Sequence, residues 1–229
     1  MTTLTRTARL TGLAYLGLAI SGMLAFLLIR QQLYVPDDAV ATASNLVEQA
    51  SLARLGVAMD LTVVLTQSLA ALWFFKLFRG VDSFAAGAIA TFGLVNAVLI
   101  LIATVFSATA LEIALAGSDG TATAQLLYQL SGAAWSLGGL FFGLWLIPMG
   151  LLVVRSGWLP RSLGQLLMGG GVGYVLSTFV SYVFADADLV AGLLTVPATI
   201  GELWIVGYLI LFGVREHARP DRESARVTT

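Results

Sequence analysis

Long apolar runs dominate this chain, each ending where charged and turn-forming residues cluster. The first covers Leu10 to Ile29, after Arg6 and Arg9, and a polar stretch from Arg30 to Ser51 separates it from the second, Leu52 to Phe75. The third runs from Phe84 to Leu111, the fourth from Leu126 to Val154, the fifth from Leu163 to Phe184 and the sixth from Leu189 to Val214. Runs of about 20 apolar residues cross a hydrocarbon core roughly 30 Å thick. A soluble core of this length breaks instead into shorter amphipathic pieces with polar faces. The pattern predicts an all-α membrane protein, a bundle of six transmembrane helices in one domain over residues 1–214, followed by a charged tail over 215–229. The first run is too long for a signal-peptide core, lacks a prompt small-residue cleavage site and is followed by further spans, so it reads as the first helix.

The connections add detail. Pro36, Asp37 and Asp38 read as a helix start, with carboxylates satisfying the first free N–H groups. Val40, Ala43, Val47 and Ala50 recur at helical spacing, which predicts a short amphipathic helix on the outer interface, with a solvated loop as the alternative. The Gly117–Thr123 stretch breaks the pattern, and Arg155-Ser-Gly-Trp-Leu-Pro-Arg161 reads as a tight basic hairpin. With the N-terminus inside, Arg6, Arg9, Lys76, Arg79, Arg155, Arg161, Arg215, Arg219, Arg222 and Arg226 fall on the cytoplasmic side; these are ten of the 12 basic residues. Asp37, Asp38, Glu48, Glu112, Asp119, Asp186 and Asp188 fall opposite. The positive-inside rule therefore places both termini in the cytoplasm, and the cell (inner) membrane is the expected location.

Composition agrees: 58% of residues are hydrophobic, 11% are charged and the mean hydropathy is +0.90. Soluble domains carry about 25% charge. A net charge of −1 gives no electrostatic case for nucleic acid. There is no cysteine, which excludes disulfides, iron–sulfur clusters and thiol catalysis. The one histidine, His217, lies in the tail, which removes histidine-ligated haem and multi-histidine metal sites from the spans. No Walker-type loop, HExxH or GxSxG occurs, so no catalytic residue, cofactor or metal site is assigned.

Polar side chains at lipid depth are expensive and need a partner or a reason. Arg54 and Asp60 lie in the second run and Glu202 in the sixth. Arg54 can snorkel to the outer headgroups. Asp60 and Glu202 are too short for that, so each must pair, stay protonated or meet water inside the bundle. Six positions separate Arg54 from Asp60, about 120° off a shared face, so a partner on another helix is expected, and Arg30 is available. Tyr128, Gln129, Ser131, Trp135 and Ser136 enter from the same side, as do Tyr174, Ser177 and Thr178; Gln67 lies near the depth of Glu202. These predict an outward-facing polar cavity formed by Arg54, Asp60, Gln67, Gln129, Trp135, Tyr174 and Glu202, floored by Glu202. The competing reading is a set of interhelical hydrogen bonds worth around 0.6 kcal/mol each. The pairs Gly139/Gly143 and Gly169/Gly173 are expected at close helix contacts. Trp145 and Trp158 are expected as interfacial anchors.

Several ordered segments resemble one family: Ala8-Arg-Leu-Thr-Gly-Leu-Ala-Tyr15, Asp38 with Ala41-Thr-Ala-Ser-Asn45, Arg54-Leu-Gly-Val-Ala-Met-Asp60, Phe141-Phe-Gly-Leu-Trp145, the hairpin 155–161, and Gly201-Glu202. Together, over about residues 8 to 214, they are similar to the bacterial membrane family "domain of unknown function 4386". The resemblance implies a prokaryotic multi-pass membrane protein and no particular activity. Three functions stay open: binding or transport of a small solute or proton, a structural or accessory subunit whose acids fix helix packing, and an intramembrane enzyme on a lipid-like substrate. The lipid bilayer is the one partner implied throughout.

Overall fold

The computed structural model describes residues 3–117, 120–184 and 186–214. Asp119 and the tail from Arg215 to Thr229, with His217, lie outside the described residues. The chain forms α1 (Thr3–Leu33), α2 (Ala39–Glu48), α3 (Ala50–Phe78), α4 (Ser83–Ala116), α5 (Thr121–Ser156), α6 (Arg161–Val183) and α7 (Asp188–Leu211), with no strand among the described residues. All but α2 are long and apolar enough to cross a membrane. Their outer surface is a belt of large apolar side chains, such as Leu61, Leu65 and Leu72 on α3 and Val98, Leu101 and Val105 on α4. Such continuous apolar exposure is foreign to a soluble surface and suits acyl chains.

Helix ends follow local chemistry. The Asp82 carboxylate accepts from the Ala85 N–H at 3.0 Å and starts α4. Gly157, at φ 66°, closes α5 in the left-handed conformation that favours glycine. Asp38 accepts from the Ala41 N–H at 2.8 Å, so the acidic start expected for α2 is present. The helix buries Thr42, Ala43 and Leu46, whereas Val40 and Val47 of the expected apolar stripe stay exposed, and Ala50 belongs to α3.

The six spans form a closed ring in chain order. Each packs on its sequence neighbours, and α1 meets α7. Both ends of the described chain reach one face, the terminal face, where Gly213 lies against Thr5; α2 lies at the opposite, distal face. Glycine sets the closest approaches. A Cβ at Gly143 would stand 2.8 Å from the Gly171 carbonyl oxygen and 2.9 Å from the Val175 nitrogen, so these backbones touch. Gly150 and Gly164 repeat the contact two turns away. Gly170 and Gly173 face α7, while Gly169 faces open space, so the glycine cluster serves two neighbours and Gly169 serves neither.

Helix α5, with 36 residues, is about 54 Å long and overshoots a bilayer core of roughly 30 Å. Its distal overhang and that of α4 support α2, and a second apolar core forms there from Ile29, Leu33, Ala43, Leu46, Leu111 and Ala124. The loop beneath α2 is tied down. Val35 N–H donates to the Thr42 hydroxyl at 3.0 Å, and Gln125 Nε2 donates to the Val35 carbonyl at 3.2 Å. The main core, near the terminal face, holds Trp145 at 0% exposure. Trp145 is therefore a core residue rather than the interfacial anchor expected, because its ring is enclosed by side chains from several helices. Trp158 stacks on Phe78 at 5.8 Å.

Candidate functional site

Within α1 the segment Met23–Ile29 is π-helical, and the Arg30 N–H bonds back to the Ala25 carbonyl, five residues earlier. The wider turn changes which side chains face inward. Ser21, Ala25, Ile29 and Leu33 are all buried, at a spacing of four that an unbroken α-helix would rotate off the face. Arg30, beside Ile29, thereby reaches across to α5. Its Nη1 donates to the Tyr128 carbonyl at 3.3 Å, its Nη2 donates to the Ser131 hydroxyl at 2.5 Å, and its guanidinium lies 4.8 Å from the Tyr128 ring centroid.

On α3, Asp60 is only 7% exposed and shares a small chamber with Arg30. Ser107 of α4, Tyr128 and Trp135 of α5, and Leu46 of α2 are among the residues of its wall. The guanidinium acts on the Asp60 carboxylate electrostatically, yet the two form no direct ion pair. The chamber holds about 20 Å³, room for one water molecule amid polar partners. A wider, open vestibule of about 270 Å³ adjoins it between α1 and α5, lined by Tyr34, Gln129 and Ser136 among others. Arg30, Tyr128 and Phe26 line both spaces, so they form the partition between vestibule and chamber. Leu46, at 0% exposure, closes the distal end.

Glu202 lies elsewhere. It sits about 21 Å along α7 from Asp188, and its carboxylate accepts a short hydrogen bond from the Tyr15 hydroxyl of α1. Tyr15 meets Phe74 and Trp145 edge-on, with ring centroids 5.6 and 5.3 Å away. Phe142 packs on Trp145 at 5.7 Å and on Tyr174 at 5.4 Å. The Tyr174 hydroxyl is close enough to interact with Glu202. Gly93 of α4 lets Trp145 in: a Cβ there would be 2.9 Å from the indole ring. All six spans thus contribute to one layer of aromatic packing, and the partly exposed Glu202 joins it through Tyr15. The Trp145 N–H reaches toward the Tyr15 hydroxyl without the geometry of a hydrogen bond. Gln67, fully buried two turns from Asp60 on α3, has no protein partner for either amide atom.

The residues expected to share one cavity are therefore divided. Asp60 and Trp135 line the chamber, Gln129 lines the vestibule, and Tyr174 and Glu202 belong to the aromatic layer. Gln67 lies in the core, and Arg54 is exposed on the outside of α3. The aromatic layer fills the interior where one continuous cavity was expected. The Ser177 and Thr178 hydroxyls donate to the Tyr174 carbonyl within their own helix, so their protons are used locally. Sequence reasoning missed Tyr15, Phe74, Phe142 and Ser107. Only Arg30 carried a usable signal, as a cation at the end of an apolar run.

Searches of curated proteins and of solved structures return no match. The family profile described as "Domain of unknown function (DUF4386)" matches residues 10–213. That stretch takes in every span, with Arg30, Asp60, Tyr15 and Glu202, and the chain belongs to this family.

Proposed function

We propose that this protein binds or transports a proton or small solute through the Arg30–Asp60 site, entered from the distal side. In this reading the termini are cytoplasmic and the distal face is outside, an orientation that the excess of basic residues at the terminal face supports. One observation carries it: the partition of Arg30, Tyr128 and Phe26 separates an open vestibule from a chamber that contains a buried carboxylate. A buried carboxylate at membrane depth is a costly feature that transporters and pumps use to carry protons. Size decides what goes where. The chamber admits a water molecule or a proton, while only the vestibule has room for a solute.

The structural alternative draws on a different acid. Glu202 is partly exposed and has a donor in Tyr15, whose ring packs in the aromatic layer, the arrangement of a packing element. The two carboxylates therefore separate by role, Asp60 for the ligand and Glu202 for helix register. Proteoliposomes containing an internal pH-sensitive dye test this. Proton entry is expected for the wild type, with at least about a tenfold loss in Asp60→Asn, since a positioned proton carrier contributes at least that much. Glu202→Gln should keep the flux. Equal flux in Asp60→Asn and wild type would reject the reading.

A further inference from the structure

Arg30 uses only part of its bonding capacity. A guanidinium has five N–H donors, and two of its nitrogens donate once each, to the Tyr128 carbonyl and the Ser131 hydroxyl. Gly132 keeps the approach open, for a Cβ there would stand 3.4 Å from Nη1. The vestibule lining contains no acidic residue, so Arg30 is the one charge it presents among the described residues. Tyr34 and Tyr128 stack at 5.8 Å to form an aromatic wall, and Gln129 and Ser136 add polar groups. A single cation with spare, coplanar donors at the base of an aromatic pocket suits an oxyanion, two of whose oxygens it can hold with two parallel bonds.

We infer that the vestibule binds an oxyanion group, a carboxylate or phosphate, on Arg30, and that one proton on Asp60 accompanies it. This rests on the reading of the Arg30–Asp60 site given above. The coupling is electrostatic. An ionised Asp60 partly cancels the guanidinium field from the far side of the partition, whereas a protonated Asp60 leaves that field to the anion. The proton adds to an Asp60 carboxylate oxygen, no covalent bond breaks, and a monoanion with its proton enters without net charge. Asp60, Arg30 and Tyr128 are the titratable groups that act on one another here. The other charged groups toward the distal face, Asp37, Asp38, Glu48, Arg54 and Glu112, are exposed to the outside, and none of them lines the chamber or the vestibule. Anion and proton thus raise each other's affinity by the same factor.

Calorimetry on the purified protein in non-ionic detergent tests the inference, with benzoate and inorganic phosphate as probes and tetramethylammonium as the cation control. Benzoate or phosphate should bind, and more tightly by about tenfold at pH near 5.5 than near 8, within the usual range of such couplings. Asp60→Asn should bind near pH 8 as tightly as the wild type does near 5.5, with the pH dependence gone. Arg30→Gln should abolish binding. Ser136→Leu retains every charge, fills the vestibule and should weaken binding, which keeps the test decisive if Arg30→Gln misfolds. Retention of binding in both variants, pH-independent binding by the wild type, or preference for tetramethylammonium would each overturn the inference. Competition by phosphatidylglycerol in vesicles identifies a lipid headgroup as the source of the oxyanion; indifference to it identifies a soluble solute. Proton flux with no anion binding would reject this inference alone, and anion binding with no proton flux would reject only the transport reading above.

Discussion

Tyr15 and Glu202 show what a charge-bearing group costs in an apolar interior and how one hydroxyl offsets it. Tyr15→Phe keeps the ring and its contacts with Phe74 and Trp145 but strips the donor from a carboxylate beside the aromatic layer. The expected loss is about 1 kcal/mol, the net worth of a typical hydrogen bond, because Glu202 is partly exposed and solvent replaces part of what Tyr15 supplies. Glu202→Gln keeps an oxygen that can accept from Tyr15 and should cost less. Tyr15→Phe combined with Glu202→Leu removes both partners and should recover most of the loss. Unfolding in detergent, followed by circular dichroism, measures the four proteins; an unchanged Tyr15→Phe would show that the hydrogen bond carries no weight. At this scale the sequence was legible where a short acid interrupts an apolar run, as at Asp60 and Glu202. It was silent on Tyr15 and Trp145, because an aromatic residue in an apolar run looks the same at an interface, in a core or beside a carboxylate. Arg30 was visible as a cation near the right depth. That it borders Asp60 depends on a π-helical turn and on the approach of α5, neither of which has a residue signature.

Between helices, backbone contact through glycine replaces the interlocking of large side chains. Gly143→Val places a branched side chain against the Gly171 carbonyl and the Val175 nitrogen, atoms that move only if α6 moves. Overpacking of this kind costs about 1–3 kcal/mol or more. A Cβ at Gly169 would meet nothing within 4 Å, so Gly169→Val should stay within about 1 kcal/mol of the wild type. Thermal unfolding of the two variants gives the comparison. Similar stabilities would mean that α5 and α6 are held by something other than this contact. Glycine spacing pointed to Gly143 correctly and could not tell Gly169 from Gly170, since one residue of rotation separates lipid from a neighbouring helix. The spans themselves were legible because lipid demands unbroken apolar runs. Their full lengths were not: α4 extends to Ala116 and α5 begins at Thr121, where the overhang packs under α2 instead of facing acyl chains.

Closure of the ring is a property of the whole molecule. α1 meets α7 through Gly12, where a Cβ would be 2.9 Å from Ile210, and this contact brings Tyr15 to Glu202, 187 residues away. Hydropathy lists spans in order but is blind to which of them close a circle, so the division between aromatic layer and chamber was out of reach from sequence. The direction of the ring in the bilayer decides whether the vestibule opens outward, as the proposed function requires. Most basic residues of the described chain gather at the terminal face, with Arg30 and Arg54 as the exceptions: Lys76, Arg79, Arg155 and Arg161 flank two of its connections, and Arg155 pairs with Asp82 there. The chain has no cysteine, so single introduced thiols report topology against a clean background. Ser44→Cys lies on the exposed side of α2 at the distal face, and Gly80→Cys lies in the exposed turn after α3, with nothing within 4 Å of its Cβ. In intact cells a membrane-impermeant maleimide should label Ser44→Cys and spare Gly80→Cys until the membrane is opened. The reverse pattern would turn the vestibule toward the cytoplasm and require that the ligand be delivered from within.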